Sequence, residues 1–267
     1  MDSDSKHFSE ITLLITHYNR SLSLERLLKS FSELNIIFNE IIVSDDCSKP
    51  EHINNLVLFK DRYGIIPVFA EKNKGLANNI NKGQHAVKSP FTLYVQEDFI
   101  PTRYFSQRLM DGLSLMKEDA HLDLVRFYAY RKYPYLKPIG LGFSEMRFRF
   151  WAPNAYQFNC YSDHPHLRRS AFLEKFGEYK EGIKSDRAEF RMVIAFLQKK
   201  GKAVIHDDYR GIFIQENSAE EPSQVKRKKL RMQIQASEGF LIKIIRSVYR
   251  NIKFRYEYLF LKTGSNE

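Results

Sequence analysis

The sequence predicts an α/β protein with a mostly parallel sheet, and three observations lead to this prediction. In the first 110 residues, short apolar runs of strand length alternate with segments of helical periodicity. Short loops join these segments, and polar clusters follow the predicted strands. Alternation of this kind indicates βαβ units. With 267 residues, 43% of them hydrophobic, the chain can bury a substantial core. We therefore expect a Rossmann-like sheet with flanking helices.

The elements of this first part follow one another regularly. Apolar runs predict strands at 11–16, 41–44, 65–70 and 91–96, and helical spacing predicts helices at 22–34, 50–63 and 76–87. Ser21 or Ser23 is the expected N-cap of the first helix. Pro50 suits the first turn of the second helix, and Gly64 is expected to end it.

After about residue 110 the pattern is looser. We expect a strand at 122–128, a helix at 186–199 and a strand at 202–206. Residues 130–165 are rich in aromatic residues, Gly and Pro, which is typical of irregular segments that line a cleft. The polar stretch 216–223 marks the boundary to a basic tail.

Composition excludes several classes of protein. The two cysteines, Cys47 and Cys160, lie far apart and lack metal-ligand spacing, which argues against a disulfide scaffold or structural zinc and suits a reducing compartment. The first ten residues lack the layout of a signal peptide. The longest apolar runs fall short of the ~20 residues needed to cross a bilayer. The sequence therefore predicts a protein that stays on the cytoplasmic side.

The net charge of +10 is concentrated in the tail. Residues 224–262 hold eleven Lys or Arg against two Glu, so the first 223 residues are close to neutral. A protein-wide nucleic-acid-binding surface is therefore not expected. One face of the helix predicted at 239–261 carries Leu241, Ile245, Val248, Ile252, Tyr256 and Leu259. Basic residues on another face make it typical of helices that lie on anionic membranes, here the inner face of the plasma membrane. A helix packed on the protein body or a homodimer interface explains the pattern equally well.

Polar clusters at 16–20, 45–48, 73–75 and 96–98 occupy the ends of the predicted strands. Parallel sheets bind ligands at the C-terminal ends of their strands, so these clusters predict one site. Their residues are Thr16, Tyr18, Asn19 and Arg20, then Asp45, Asp46 and Ser48, then Asn73, Gly75 and Asn79, and finally Gln96, Glu97 and Asp98. In this order and spacing the chain resembles family-2 glycosyltransferases of the GT-A fold over roughly residues 9–105.

The resemblance implies an enzyme that moves a sugar from a nucleotide-diphosphate donor, foremost a UDP-sugar, to a glycan or lipid-linked acceptor in polysaccharide assembly. Inversion at the sugar carbon and dependence on a divalent cation are implied with it. The nucleotide-sugar-binding half would occupy 9–110, the acceptor-binding half 111–222 and the basic amphipathic helical tail 223–267.

Two other classes of protein compete with this interpretation. A sugar nucleotidyltransferase also has a nucleotide-binding α/β half, but it normally begins with a Gly-rich phosphate loop, which the stretch THYNRS lacks. A non-catalytic polybasic protein that binds membranes or RNA would leave the four polar strand ends unexplained.

The strand-end residues suit a nucleotide-sugar donor. Tyr18 offers a ring face for the base and Thr16 a hydroxyl. Asp45 or Asp46 can accept a charge-assisted hydrogen bond from a base N–H. Gly75 would let the backbone approach ribose or phosphate. The alternative is that the two aspartates only cap the turn before the next helix.

Gln96, Glu97 and Asp98 stand where the family carries its Asp-x-Asp motif, which implies Mg²⁺ or Mn²⁺. Such an ion takes one or two carboxylates plus substrate phosphates and neutralises the leaving diphosphate. Because side chains alternate along a strand, we expect Gln96 and Asp98 to point one way and Glu97 the other. Asp98 is therefore the preferred metal ligand. Gln96 departs from the motif, and the alternative is a solvated acidic turn before Pro101.

An inverting transfer also needs a general base for the acceptor hydroxyl. The resemblance places an acidic residue at the start of a helix in the second half, where Asp186 and Glu189 stand. The family's Glu-Asp pair is absent, because Phe190 follows Glu189. Asp186 and Glu189 also have the spacing of a capping box, which is a sufficient structural reason for both. We place Glu189 slightly ahead of Asp186.

Overall fold

A computed structural model describes residues 5–216, Glu221 and residues 240–263. Within these residues, nine strands form one mixed sheet and two further strands form a small antiparallel ribbon. The larger sheet has the order β3-β2-β1-β4-β9-β6-β10-β8-β7. The predicted α/β class is confirmed, and the first four strands of the sheet are parallel.

The strands are β1 (Lys6–His17), β2 (Ile36–Asp45), β3 (Ile65–Phe69), β4 (Phe91–Gln96), β5 (Phe99–Pro101), β6 (Leu122–Arg126), β7 (Leu136–Gly140), β8 (Phe143–Met146), β9 (His166–Arg169), β10 (Lys202–His206) and β11 (Phe213–Gln215). The helices are α1 (Ser21–Glu33), α2 (Pro50–Tyr63), α3 (Leu76–Ala86), α4 (Phe105–Glu118), α5 (Phe172–Phe176), α6 (Ser185–Gln198) and α7 (Phe240–Phe260), with a 3-10 turn at Ala155–Asn159.

The first four strands run parallel and end at one edge. β1 pairs with β2 on one side and β4 on the other, and β3 extends the sheet beyond β2. The register places His17 opposite Asp45 and Thr16 opposite Gln96. Because the strands are parallel and in register, three of the predicted polar clusters meet at their carboxyl ends.

Strand β9 joins the two halves of the sheet. It lies antiparallel between β4 and β6. β10 then pairs parallel with β6, and β8 and β7 complete this side as antiparallel strands. β5, which follows β4 after a two-residue turn, pairs with β11 far along the chain. The ribbon therefore brings residues 213–215 beside the end of β4.

The sheet is covered on both faces. Alternation along β1 sends Leu13 and Ile15 into the cluster that contains α1, α2 and α4, while Leu14 belongs to the cluster that contains α3 and α6. All three side chains are fully buried. This two-sided burial explains why the strands appear in the sequence as continuous apolar runs.

Most predicted elements of the donor half are found, and the N-cap of α1 is corrected. The strand at 91–96 and the helix Pro50–Tyr63 match, and Gly64 ends that helix with φ 67°. Ser21 and Ser23 are wrong as caps, because both lie inside α1 and its N-cap is Arg20. The carboxylate of a residue that is distant in the sequence accepts the hydrogen bonds of this helix end instead.

Glu221 supplies that carboxylate from 198 residues away. Its oxygens accept hydrogen bonds from the backbone N–H groups of Leu22 and Ser23 at 3.0 and 2.8 Å. The Ser23 hydroxyl also donates to it at 2.8 Å. A carboxylate at this end satisfies free N–H groups and complements the helix dipole. The chain after β11 is thereby anchored beside the end of β1.

Helix α7 packs on the body through the face opposite to its predicted apolar face. The Phe254 ring lies 4.5 Å from Phe190, and the Gln198 amide donates to the Tyr258 and Leu261 carbonyl oxygens at 2.8 Å. The predicted apolar face points to solvent, with exposed side chains at Ile245, Val248, Ile252, Tyr256 and Leu259. The helix therefore packs on the protein body, as one expectation held, and still leaves its predicted apolar face exposed. The basic run at 226–231 and Leu241 lie outside what the structure describes of this tail.

Among the described residues, no helix is both long enough and apolar enough to span a bilayer.

The close approach of α3 to the sheet generates a stability prediction. A Cβ at Gly83 would lie 2.6 Å from Leu14 Cδ1 and 2.9 Å from Ser44 Cβ, and both side chains are buried. We expect Gly83→Ala to lower the free energy of unfolding by about 1–3 kcal/mol, measured by urea denaturation. His85→Ala, on the exposed side of the same helix, should change it by less than about 0.5 kcal/mol. Equal effects would show that α3 does not depend on this contact.

Candidate active site

A buried hydrogen bond ties the end of β1 to the end of β2. His17 Nδ1 lies 2.7 Å from Asp45 Oδ2, and both side chains are fully buried. The Ser48 backbone N–H donates to Asp45 Oδ1 at 2.9 Å, and its hydroxyl donates to Oδ2. Burial raises the pKa of Asp45, but the hydrogen bonds from His17 and Ser48 outweigh it and leave the pKa below its usual value. Asp45 thus has the structural role that the capping alternative proposed.

Asp46 holds the loop that precedes α3. Its carboxylate accepts hydrogen bonds from the backbone N–H groups of Lys74 and Gly75 at 2.9 and 2.8 Å. Burial raises the pKa of Asp46, against the lowering effect of these two bonds. Gly75 has φ 85°, a conformation that favours glycine. Asp46, in the polar cluster at 45–48, therefore fixes the backbone of the polar cluster at 73–75.

Asn19 and Asn79 cross-link neighbouring strand ends. The Asn19 N–H donates to the Ser48 hydroxyl, and its side-chain oxygen accepts from the Lys49 N–H, both at 2.8 Å. The buried Asn79 amide donates to the His17 carbonyl oxygen at 3.2 Å and accepts from the Ser44 hydroxyl at 2.7 Å. These residues hold the edge of the sheet rigid.

The other predicted donor residues differ in accessibility. The buried Thr16 hydroxyl lies 3.1 Å from the Tyr94 hydroxyl, so it is engaged inside the core. Tyr18 is half-buried, as is Gln96 at the end of β4, and Asn73 is exposed. The expected surface for a nucleotide thus contains Tyr18, Asn73 and Gln96, while Thr16 lies beneath it.

Glu97 and Asp98 form a turn between β4 and β5, so strand alternation does not govern their side chains. The prediction that they point in opposite directions is wrong. Arg20 Nη1 lies 3.2 Å from Glu97 Oε1 and 3.6 Å from Asp98 Oδ2. Burial and the neighbouring Asp98 carboxylate raise the pKa of Glu97 to about 7, against the opposing charge of Arg20. The turn is not the solvated loop of the alternative hypothesis, because Asp98 is buried.

The carboxylate of Asp98 suits a cation ligand. Its Oδ1 atom is buried and has no hydrogen-bond partner in the part of the chain that the structure describes. Among those residues, no group of three or more His, Cys, Asp or Glu side chains could hold a metal ion. This donor set matches an ion such as Mg²⁺, which relies on one or two carboxylates and on substrate phosphates.

Two side chains connect this turn to a cavity in the second half. Gln215, brought here by the β5–β11 ribbon, donates from Nε2 to Asp98 Oδ2 at 2.9 Å. The Tyr130 hydroxyl donates to Gln215 Oε1 at 2.7 Å. Tyr130 lines a cavity of about 400 Å³. The two candidate centres are therefore adjacent.

Glu189 and Asp186 both line this cavity, but in different surroundings. Asp186 is exposed in the first turn of α6. Glu189 accepts a hydrogen bond at Oε1 from the Asp163 backbone N–H, at 3.0 Å. The capping-box alternative is wrong, because the N-cap of α6 is Lys184 and no side chain caps this end.

The acidity of Glu189 is strongly perturbed. Burial raises its pKa to about 8, and the neighbouring Asp163 carboxylate adds to the effect. Burial likewise raises the pKa of Asp163 to about 6, against a hydrogen bond from the Tyr179 hydroxyl. Two carboxyl groups with raised pKa values, one of them lining a cavity, are typical of acid–base sites.

Sequence reasoning missed several residues of this cavity. They are Arg126, Tyr130, Arg131, Tyr156 and Arg250. Arg126 could have been suspected, since a charged residue ends the apolar strand β6 and becomes 97% buried. Tyr156 and Arg250 left no such signal, because they come from a 3-10 turn and a helix almost a hundred residues apart.

A Rossmann-like half with polar strand ends, joined to a second half in which Glu189 lines a cavity, is the architecture expected of a glycosyltransferase of the GT-A fold. Residues 12–174, more than half of the chain, match the family Glycosyl transferase family 2. The chain belongs to this family. Membership decides against the nucleotidyltransferase and the non-catalytic polybasic protein, because the family consists of glycosyltransferases.

Known relatives are distant. The chain is 24% identical over 95 residues to a cholesterol galactosyltransferase of Borreliella burgdorferi. The matched region covers 36% of this chain and 26% of that protein. The chain thus spans about a quarter of the length of that curated relative.

Solved structures share the fold. S. aureus TarS in complex with UDP-GlcNAc has a TM-score of 0.60 at 14% identity, covering 94% of this chain and 71% of that one. A mannosyltransferase from Pyrobaculum calidifontis in complex with GDP-Man and Mn²⁺ has a TM-score of 0.58 at 14% identity. The match covers 95% of this chain and 70% of that one. Identities this low show the fold alone.

Proposed function

We propose that this glycosyltransferase transfers a sugar from a UDP-sugar to a glycan or lipid-linked acceptor, with inversion and with the help of a divalent cation, in polysaccharide assembly. The observation that carries the proposal is the buried, unpartnered Oδ1 atom of Asp98, two side chains from a cavity that Glu189 lines. A diphosphate at the first centre and a hydroxyl at the second are the two reactants that such a transfer brings together.

The donor would lie along the edge of β1, β2 and β4. Tyr18 and Asn73 present accessible surface there, and Asp46 fixes the backbone of Gly75 close by. Asp46 remains the better acceptor for a base N–H, since Asp45 is wholly committed to His17 and Ser48. The uridine of the donor is supported by TarS, whose structure contains UDP-GlcNAc.

Asp98 would hold Mg²⁺ or Mn²⁺, which would neutralise the departing diphosphate. A neighbour with bound GDP-Man and Mn²⁺ supports this assignment. Arg20, beside Glu97 and Asp98, orients the two carboxylates of the turn. Gln96 offers a neutral oxygen where the family motif has an Asp, so we expect weaker cation binding than two carboxylates would give.

Glu189 would act as the general base. In its ionised form it removes the proton of the acceptor hydroxyl as that oxygen bonds to the sugar carbon and the bond to the diphosphate breaks. Its hydrogen bond from the Asp163 N–H fixes the carboxylate at the cavity wall. Asp186 is exposed to water in the first turn of α6.

The exposed face of α7 would lie on an anionic membrane. Its apolar side chains are flanked by Arg246 and Lys253, a charge pattern that complements anionic headgroups. Trp151 is 88% exposed beside this helix, where Arg255 donates to the Phe150 and Ala152 carbonyl oxygens that flank it. Exposed Trp next to an apolar helix face suits a membrane interface. A lipid-linked acceptor would be reached from such a position.

The first prediction concerns donor and cation. We expect UDP-sugars to stabilise the protein against heat in the presence of Mn²⁺ or Mg²⁺, by about 2.7 kcal/mol at a hundred times the dissociation constant. Asp98→Asn should remove the cation-dependent part and abolish sugar transfer. Thermal unfolding with UDP-, GDP-, dTDP- and CMP-sugars, with and without cation, measures this.

The exposed Asp61 provides a control with the same change of charge. Asp61→Asn should behave like the wild-type protein. A lack of cation-dependent stabilisation with every donor, or transfer retained by Asp98→Asn, would contradict the assignment.

The second prediction concerns pH. A base must be ionised to work, so a pKa of about 8 for Glu189 means that the turnover rate rises with pH up to about 8 and levels off above it. Glu189→Gln should lower turnover by at least about a hundredfold while donor binding persists. Asp186→Asn should retain both turnover and the pH profile. If Asp186→Asn is the inactive variant, the base has been misassigned.

The third prediction concerns membranes. Ile252→Glu should weaken binding to phosphatidylglycerol vesicles by about 2 kcal/mol, since a 63% exposed apolar side chain would no longer enter the interface. Leu58→Glu, equally 63% exposed on α2, is the matched control and should bind normally. Vesicle co-sedimentation, with phosphatidylcholine as the neutral comparison, measures this. Unchanged vesicle binding by Ile252→Glu, or a concentration-dependent dimer without vesicle binding, would contradict the proposal.

A further inference from the structure

The cavity beside Glu189 carries an excess of positive charge. Four of its lining residues are Lys or Arg, namely Arg126, Arg131, Lys132 and Arg250. Two are acidic, Asp186 and Glu189. A small cavity with this excess attracts anions, because its low-dielectric walls concentrate the field of the charges.

Two of the cations contact the same aromatic ring. The guanidinium carbon of Arg131 lies 4.9 Å from the centroid of the Tyr156 ring, and that of Arg250 lies 4.7 Å from it. Arg131 also donates to the Tyr156 hydroxyl. Tyr156 is thereby a common neighbour of the two guanidinium groups, and all three residues line the cavity.

Ion pairs do not offset these charges. Arg131, Lys132 and Arg250 form no ion pair with a carboxylate among the residues that the structure describes. The Nε atom of Arg250 is buried and has no hydrogen-bond partner in the same part of the chain. Guanidinium groups bind phosphate through paired N–H donors. Arg131 and Arg250 carry such donors, and their charges are not offset by a carboxylate among the described residues.

The two acidic residues of the cavity offset little of its positive charge. Asp186 is exposed to water at the start of α6. Glu189, with its pKa raised to about 8 by burial, is mostly uncharged at neutral pH. Its Oε1 atom is already engaged by the Asp163 N–H.

The rest of the lining suits a sugar ring. Tyr130, Tyr133, Tyr156 and Phe158 contribute aromatic surface to the cavity. Aromatic faces pack against the apolar faces of sugar rings while their hydroxyls remain free for hydrogen bonds. The combination of aromatic rings with guanidinium groups that form no ion pair among the described residues indicates a ligand with both a sugar and an anionic group.

We propose that the acceptor carries a phosphate, which binds between Arg131 and Arg250 while the sugar hydroxyl to be glycosylated lies at Glu189. This inference rests on the proposed function, since it takes the cavity as the acceptor site. The phosphate belongs either to a lipid carrier or to the glycan itself. Arg250 lies on α7, so the helix proposed to contact the membrane also completes the acceptor site.

The test measures binding of small probes with the donor site filled by UDP and Mn²⁺. We expect glucose 6-phosphate to bind at least about tenfold more tightly than glucose, because charge-assisted hydrogen bonds add to the sugar contacts. The Arg131→Gln/Arg250→Gln double variant should lose this preference. Lys262→Gln removes an exposed positive charge just beyond the same helix, at a residue that does not line the cavity, and should retain the preference. Calorimetry or NMR titration gives the dissociation constants.

Hexyl phosphate distinguishes the two sources. Tighter binding of hexyl phosphate than of glucose 6-phosphate assigns the site to a lipid phosphate, and the reverse assigns it to a phosphate on the glycan. Equal binding of glucose and glucose 6-phosphate, or a preference that survives in the double variant, overturns the inference. The UDP titration that precedes each experiment tests the proposed function separately, because absence of UDP binding would refute the donor assignment and not the anion site.

Discussion

The buried hydrogen bond between His17 and Asp45 is the contact on which the donor edge depends. It joins the last residues of two parallel strands that the register already places side by side. Ser48 is held by the same carboxylate, and through Ser48 the loop of Asn19 is held as well. A carboxylate with no solvent exposure and three hydrogen bonds would be costly to leave unpaired. The position of the proposed nucleotide surface therefore follows from an interaction that need not touch the nucleotide.

The second half is coupled to this edge by connections that are distant in sequence. Strand β9 lies between β4 and β6, and the β5–β11 ribbon brings Gln215 to Asp98. Gln215 and Tyr130 then span the distance from the acidic turn to the cavity that Glu189 lines. Two consecutive hydrogen bonds, of 2.9 and 2.7 Å, therefore link the two proposed centres. Bringing the two reactants of a transfer together in this way is a large part of catalysis.

Helix α7 combines two functions that the sequence presented as alternatives. Phe254 and Tyr258 hold the helix on the body, while Ile245, Ile252 and Tyr256 stay exposed. Arg250, between these two faces, lines the cavity. In the proposed function, this one helix packs on the enzyme, lies on a membrane and completes the acceptor site. The proposed phosphate on the acceptor gives this geometry a purpose, since lipid carriers and anionic glycans are both found at membranes.

The sequence by itself determined the α/β class, most strand and helix positions of the first half and the strand ends that gather there. Those features depend on local periodicity and on parallel register, both of which are visible in a chain of residues. Only the tertiary structure decided how each side chain is used. It showed that Asp45 is committed to His17, that Glu97 and Asp98 occupy a turn where alternation fails, and that Glu221 caps α1 from 198 residues away. It also separated Glu189 from Asp186, because burial and hydrogen bonding arise from contacts between segments that sequence spacing does not record.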